Sequence, residues 1–188
     1  MNPHFPTQGI ATPRLTLQAA DPSHARALQA YLVQNRVFLQ PWEPTRGGDF
    51  FELDAIMLRL ETMAEKTASG EALHLLILRD DHIIGTCNFS NIVRGAFQAC
   101  HLGYALCESA QGEGLMHDAL TTAIAHVFEN MKLHRIMANY RPENTRSERL
   151  LTRLGFEREG EARAYLKING VWADHVLTSL INPGHPDA

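Results

Sequence analysis

The hydrophobic and polar positions along the chain recur with two different periods, and these periods predict its helices and strands. In the segment 14–18, apolar and polar residues alternate as in a half-exposed strand. Asp21 and Pro22 then supply an N-cap and a first helical position, so a helix is expected to begin near Pro22. Two prolines interrupt the segment 38–44, which should therefore be irregular. From 49 to about 68, apolar residues return at helical spacing, at Leu53, Ile56, Met57, Leu60 and Met63.

The middle of the chain is rich in strand-like runs. Three of them lie within 73–106, separated by turn signals at residues 80–81 and 94–95. This pattern predicts an antiparallel meander. Its apolar run at 73–78 is strand-sized and far shorter than the roughly 18–20 residues that a membrane-spanning helix requires.

Two glycines stand directly before the most strongly patterned helix. Gly112 and Gly114 precede a stripe of apolar residues at Leu115, Met116, Ala119, Leu120, Ala123, Ile124, Val127 and Phe128. The first turn of a helix has unpaired N–H groups and a partial positive charge, and glycines there allow an anion such as a phosphate to approach the backbone. Taken alone, the glycine pair is equally well interpreted as a tight connection. It is not a P-loop, because no Gly-Lys-Ser/Thr sequence follows.

The last third of the chain continues the alternation of strands and helices. A strand is predicted at 134–140, and a short helix follows at 144–154 with Gly155 just beyond its end. A final hairpin should turn on residues 169–170, whose Asn-Gly pair is typical of a type I′ turn. The order β-α-α-β-β-β-α-β-α-β-β predicts an α+β fold, with one domain over 1–188 and a core at about 12–182.

Composition and charge narrow the classes of function. The net charge of −4 argues against DNA or an anionic membrane as the main partner and would suit a basic ligand. None of the ten histidines forms an HxxxH or HExxH pair, so no metal is expected. No secretion signal is visible, and the three cysteines lack CxxC spacing, which together indicate a cytoplasmic protein with free thiols at Cys87, Cys100 and Cys107.

Two segments carry a resemblance to a known family. Residues 111–116, Gln-Gly-Glu-Gly-Leu-Met, resemble the (Arg/Gln)-x-x-Gly-x-(Gly/Ala) acetyl-CoA motif of the GNAT N-acetyltransferases, with a departure at Met116. Residues 144–156 are similar to the second GNAT motif, an Asn on a short helix that ends in Gly-Phe. Their order, and a strand between them, favour the anion site over the tight connection. The resemblance covers nearly the whole chain and implies a GNAT-like mixed, mostly antiparallel sheet of about seven strands with helices on both faces.

The resemblance also implies the co-substrate and its contacts. In these enzymes an acetyl group passes directly from acetyl-CoA to an amine. By motif position, a strand backbone would hold the pantetheine arm and thioester, the glycine segment the pyrophosphate, and Asn144 the pantetheine. The residues assigned to acetyl-CoA are Gly103, Tyr104, Ala105, Leu106, Gln111, Gly112, Glu113, Gly114, Leu115, Met116, Asn144 and Ser147. An acyl-cysteine route through Cys100 or Cys107 is an alternative, but neither has a visible activating partner.

The catalytic acid and base are less directly indicated. His101 stands where many GNAT enzymes have a Glu, and it is either a base active near neutral pH or a structural strand histidine. Leu151 occupies the position of the tyrosine that protonates the CoA thiolate in many relatives. Ser147 is the nearest replacement for that acid, with a helix-surface or CoA-contact role as the alternative, and solvent assistance would need no dedicated acid.

Substrate recognition is assigned to three further residues. Trp42 and Glu43 lie in the proline-interrupted segment, where Trp42 would pack over a peptide or fill the core and Glu43 would meet an ammonium. Asp174 on the last hairpin is another candidate for the amine, or a surface or turn residue. The resembled enzymes imply acetylation of the N-terminal alanine of a small-subunit ribosomal protein, on assembling ribosomes or free. The alternatives are another protein terminus or small amine, and a ribosome-assembly factor with little catalysis.

Overall fold

One mixed sheet forms the centre of the structure. The structure, a computed structural model, describes residues 5–184, and in these residues the strands follow the order β1-β2-β3-β4-β5-β6-β8-β7. Neighbouring strands are antiparallel except for β5 and β6, which are parallel. The strands are β1 (Ile10–Ala11), β2 (Thr16–Ala19), β3 (Leu73–Arg79), β4 (His82–Val93), β5 (Ala99–Leu106), β6 (Arg135–Tyr140), β7 (Glu157–Ile168) and β8 (Val171–Ile181).

Helices connect the strands at the places where the apolar pattern changes its period. Asp21 accepts a hydrogen bond from the Ser23 N–H at 2.7 Å and begins the first helical segment as a 3₁₀ turn at Pro22–His24. Asn144 caps the last helix in the same way, through the Ser147 N–H. The α-helices are α1 (Ala25–Gln34), α2 (Arg36–Leu39), α3 (Leu53–Ser69), α4 (Leu115–Glu129) and α5 (Thr145–Arg153).

Most of the predicted elements are confirmed. The antiparallel meander is β3-β4-β5, and the long helix after the glycines is α4. The final hairpin turns at Asn169 and Gly170, whose φ angles of 44° and 82° are the positive values that a type I′ turn requires. These elements are encoded by local patterns, which explains why the sequence predicted them.

Two regions differ from the prediction. The segment 38–44 is more helical than expected, because α2 extends to Leu39 and a 3₁₀ turn at Gln40–Trp42 follows, with Pro41 at a position where its missing N–H costs nothing. The sheet has eight strands in the described residues, where about seven were expected, because the two-residue β1 pairs with β2. The predicted domain limits at 1 and 188 lie outside the described residues.

Both faces of the sheet are covered at β3. Successive side chains of a strand point to opposite faces, yet Leu75, Leu76 and Ile77 of β3 are all at most 2% exposed. Helices α1, α3 and α5 contact β4, β3 and β6, respectively. In the range 5–184, no helix has the length and apolarity needed to cross a bilayer.

Candidate active site

A gap opens between the two parallel strands at the centre of the sheet. β5 and β6 pair at only three positions, Ala99–Arg135, Cys100–Ile136 and His101–Met137. Beyond His101, the β5 residues 102–106 pair with β4 alone, while the β6 residues 138–140 pair with β8. Within the described part of the chain, the β6-facing edge of β5 therefore has backbone groups without a strand partner. This edge contains Gly103, Tyr104, Ala105 and Leu106, the residues assigned to the pantetheine arm.

The segment after β5 forms an open loop at the start of α4, which we call the glycine loop (residues 111–116). Gly112 and Gly114 have φ angles of 80° and 78°, a region that L-residues with a side chain rarely adopt. Gly114 is the N-cap of α4, and no side chain in the described residues caps this helix end. The first-turn amides at Leu115 and Met116 are thus available to a ligand. A Cβ at Gly112 would meet nothing within 4 Å, so there is room beside the loop.

Charged side chains surround the glycine loop. Glu113 forms an ion pair with Arg79 at 2.9 Å, and Asp118 in the first turn of α4 forms one with Arg14 at 2.6 Å. Gln111 accepts a hydrogen bond from the Arg146 guanidinium on α5. The carboxylates nearest to the loop are therefore neutralised. An uncapped helix N-terminus with open space and no unpaired carboxylate fits a pyrophosphate.

The start of α5 brings three of the predicted residues together. The Asn144 side-chain oxygen accepts the Ser147 N–H at 3.1 Å, and no hydrogen bond within the described part of the chain uses the Asn144 NH₂, which can therefore donate to a ligand. The Ser147 hydroxyl lies 2.6 Å from the Tyr104 hydroxyl of β5. Burial raises the pKa of Tyr104 to about 12, although its hydrogen bond to Ser147 opposes that rise. Tyr104 therefore remains protonated at neutral pH and can donate its proton to the Ser147 oxygen.

His101 lies on β5 but is not beside Ser147. Side chains three residues apart on a strand point to opposite faces, so His101 and Tyr104 face opposite sides of the sheet. The His101 Nδ1 is buried, and within residues 5–184 it has no hydrogen-bond partner. Burial lowers the pKa of His101, so its ring is neutral at pH 7 and can accept a proton. The structure thus separates the predicted base from the predicted acid.

One of the three predicted substrate residues, Asp174, lines a second cleft, and so does Pro41, which directly precedes Trp42 and Glu43 in the chain. This cleft, of about 520 Å³, is lined by Pro41, Arg141, Pro142, Glu143, Ile168, Asn169, Val171, Trp172, Ala173 and Asp174. The Arg141 guanidinium donates to the Pro41 carbonyl at 2.9 Å and lies 5.8 Å from the centre of the Trp42 ring. Trp42 is 40% exposed, so it is not a core side chain. The segment with Trp42 and Glu43 is therefore held beside the cleft.

Both acids predicted to bind the substrate amine, Glu43 and Asp174, already have protein partners. The Glu43 carboxylate lies 3.6 Å from Arg46, which reduces its charge toward an incoming ammonium. Asp174 accepts the Ala164 N–H at 2.7 Å, where β7 shifts its register against β8. The turn role considered for Asp174 is therefore present, and Asp174 also lines the cleft. Glu143, which the sequence did not single out, lines the same cleft.

The cysteines lie in the core. Cys87, Cys100 and Cys107 are free and buried, and burial raises the pKa of Cys100 to about 12, which disfavours its reactive thiolate. Among residues 5–184, no group of three or more His, Cys, Asp or Glu side chains is placed to hold a metal ion. The expectation that the protein needs no metal stays a prediction.

Sequence reasoning missed the side-chain contacts that cross the site. It assigned Tyr104 only a backbone role, whereas the Tyr104 hydroxyl contacts Ser147, 43 residues away. It did not identify Arg14 or Arg79, which bind acids 104 and 34 residues away. No local pattern signals such pairs.

Comparison with known proteins identifies the family. A family model described as the acetyltransferase (GNAT) domain matches residues 14–157. The chain belongs to the GNAT acetyltransferase family. This GNAT chain is 45% identical over 182 residues to the ribosomal protein uS5-alanine N-acetyltransferase of Escherichia coli K12, with 96% of this chain and 94% of that one covered.

Solved structures of other GNAT enzymes have the same fold. The ribosomal-protein-S5-alanine acetyltransferase of Vibrio fischeri superposes with a TM-score of 0.90 at 39% identity, over 94% of this chain and 97% of that one. Mycobacterium smegmatis RimJ, solved in complex with CoA-disulfide, gives a TM-score of 0.86 at 28% identity, over 96% and 86% of the two chains. The predicted GNAT fold is therefore confirmed.

Proposed function

We propose that this chain transfers the acetyl group of acetyl-CoA to the N-terminal α-amine of a small-subunit ribosomal protein that begins with alanine. The observation that carries the proposal is 45% identity, over 96% of the chain, to a ribosomal protein uS5-alanine N-acetyltransferase. Two features of the structure support it: the gap between β5 and β6, and the uncapped glycine loop at the start of α4. Residues 1–188 would act as one acetyltransferase domain in the cytoplasm, on free or assembling ribosomal protein.

The donor would lie along the gap and the loop. Backbone groups at 103–106 would hold the pantetheine arm, and amides from Gly112 to Met116 would bind the pyrophosphate. The Asn144 amide would donate to the pantetheine. Arg14 and Arg79 neutralise the acids at the loop. The partial positive charge and free N–H groups at the N-terminus of α4 would then attract the phosphates.

The acceptor amine must be neutral before it attacks the thioester carbonyl. An α-amine titrates near 7.7–8.0 and a lysine near 10.4, so at neutral pH about a tenth of N-termini are already uncharged. A modest base therefore suffices for an N-terminal substrate. When the neutral amine attacks, its nitrogen becomes positively charged and must lose a proton. His101, whose pKa is lowered by burial, would accept that proton directly or through a water.

Ser147 would act at the leaving group. As the carbon–sulfur bond breaks, its electron pair stays on sulfur, and the Ser147 hydroxyl would donate to the resulting thiolate. The Tyr104 hydroxyl, protonated and 2.6 Å from the Ser147 oxygen, would donate a hydrogen bond to that oxygen while Ser147 donates to the thiolate. The acceptor peptide would lie in the cleft that Asp174 lines, next to the segment with Trp42 and Glu43.

Intact-mass spectrometry tests the reaction and its selectivity together. The protein would be incubated with acetyl-CoA and either of two peptides, one with a free N-terminal alanine and the ribosomal-protein start, the other with that terminus blocked and a lysine available. A gain of about 42 Da, the mass of one acetyl group, is expected on the first peptide only.

A gain on the lysine peptide would overturn the α-amine selectivity. No gain on either peptide, with acetyl-CoA binding intact by calorimetry, would overturn this acceptor and direct the search to other amines. Association with assembling particles that persists in a variant unable to transfer acetyl would favour an assembly role.

A further inference from the structure

No side chain within residues 5–184 caps α4 at the glycine loop, yet two acids lie at this helix end. Glu113 lies in the loop and Asp118 in the first turn of α4. A carboxylate at a helix N-terminus stabilises the helix. The same carboxylate repels a pyrophosphate that is bound at that N-terminus. The loop therefore needs a cation that cancels the acid without occupying the ligand's place.

Arg14 meets this requirement through three donors. Its Nε and Nη2 donate to the same Asp118 carboxylate oxygen at 2.9 and 2.6 Å, and its Nη1 donates to the Glu113 backbone carbonyl at 2.8 Å. Arg14 precedes β2 and is 104 residues from Asp118 in sequence. The arginine side chain therefore links the start of the sheet to both the glycine loop and α4.

The hydrogen bond from Arg14 to the Glu113 carbonyl also fixes the direction of the next N–H, that of Gly114. In a trans peptide unit the C=O of one residue and the N–H of the next point in opposite directions. By holding the Glu113 carbonyl, Arg14 fixes the Gly114 N–H so that it points away from the arginine. Gly114 is at a φ of 78°, and a Cβ there would come within 3.5 Å of the Arg14 Nη2, so the arginine packs directly against this peptide unit.

Arg14 therefore acts on the loop by charge and by geometry at once. Its guanidinium neutralises Asp118, and its third N–H orients the peptide between Glu113 and Gly114. Arg79 neutralises the Glu113 side chain at 2.9 Å but makes no such backbone contact in the described residues. Of the two arginines, Arg14 is the one whose loss changes both properties.

We propose that Arg14 is a positioning residue for the acetyl donor, which prepares the glycine loop for the phosphates of CoA without serving as their ligand. The proposal rests on the proposed function only in taking CoA as the ligand of this loop. It places the effect of Arg14 on the phosphate-bearing half of the donor and leaves the thioester chemistry unchanged.

Calorimetric titration with CoA and kinetics with two donors test this proposal. For Arg14→Ala, the Kd for CoA is expected to rise about tenfold or more, since hydrogen bonds to a charged group are lost and Asp118 loses its arginine partner. The kcat at saturating acetyl-CoA should change less than twofold. With S-acetylpantetheine, a donor without phosphates, kcat/KM should be unchanged.

Two further variants separate charge from geometry. Arg14→Ala with Asp118→Asn removes the Asp118 charge and should recover part of the CoA affinity, while the peptide orientation stays lost. Arg158→Ala breaks a comparable ion pair, Arg158–Glu161 at 2.6 Å on β7, and should leave CoA binding unchanged. Melting temperatures of all variants show whether each one is folded.

The outcomes are distinct from those of the proposed function. An unchanged Kd for CoA in folded Arg14→Ala would overturn the proposal, and so would an equal loss with the phosphate-free donor. If the wild-type protein acetylates no peptide, the proposed function fails, but the calorimetric comparison still decides the role of Arg14.

Discussion

Replacing the Ser147 hydroxyl should slow the chemical step and leave donor binding nearly unchanged. In Ser147→Ala the thiolate forms without its donor, while the N-cap at Asn144 is retained because it uses the Ser147 backbone N–H. The fold of α5 should therefore persist, and with it the proposed contact between Asn144 and the pantetheine. The expected result is a lower kcat with a KM for acetyl-CoA within about twofold.

The magnitude follows from the hydrogen bonds involved. A hydrogen bond to a charged group contributes about 1.5–3 kcal/mol, and each 1.36 kcal/mol is tenfold in rate, so kcat should fall roughly 10- to 150-fold. Tyr104→Phe removes a neutral hydrogen bond of 2.6 Å, worth about 0.5–1.5 kcal/mol, and should lower kcat roughly 2- to 12-fold. Because Tyr104 acts through Ser147, the double variant should be no slower than Ser147→Ala.

The assay measures initial rates at saturating acetyl-CoA with the alanine peptide, followed by the CoA thiol released. Thr62→Ala is a matched control, because among residues 5–184 the Thr62 hydroxyl bonds only within its own helix, to the Leu58 carbonyl at 3.0 Å. A Ser147→Ala variant with unchanged kcat would refute the acid role. Multiplicative losses in the double variant would show that Tyr104 acts independently of Ser147.

Further predictions concern the loop, the base, the thiols and pH. Gly114→Ala, forced to keep a φ of 78°, should weaken CoA binding measured by calorimetry about fivefold or more, through roughly 1–2 kcal/mol of backbone strain. His101→Ala should lower kcat/KM about 10²-fold or more in steady-state rates, and a change below twofold would leave water as the base. Cys100→Ala should keep full activity, because its thiol is buried with a raised pKa; complete loss in a folded variant would support the acyl-cysteine route. Burial lowers the pKa of His74, His101 and His126, so below about pH 6.5 the unfolded chain binds more protons than the folded chain. The free energy of unfolding, measured by denaturant titration, should therefore fall from pH 7 to pH 5. Equal stability at both pH values would contradict those shifts.

The secondary structure was largely predictable because its signals are local. The apolar stripe that begins at Leu115 has the period of a helix and became α4, and the Asn-Gly pair at 169–170 became a hairpin turn. The two-residue β1 was not predictable, since its pairing with β2 requires the rest of the sheet. The helical turn at Gln40–Trp42 was missed because proline tolerates the first positions of a helix as well as a loop.

In the candidate site, too, local features were predictable from the sequence and contacts between distant residues were not. The sequence by itself determined the glycines before α4, the cap at Asn144 and the family to which their order belongs. Only the tertiary structure decided that β5 and β6 part after His101, that Tyr104 reaches Ser147, and that Arg14 holds Asp118 and the Glu113 carbonyl. These contacts join residues 43 to 104 positions apart. A local pattern specifies the dihedral angles and caps of its own segment, whereas contacts between distant side chains exist only after the sheet has been assembled.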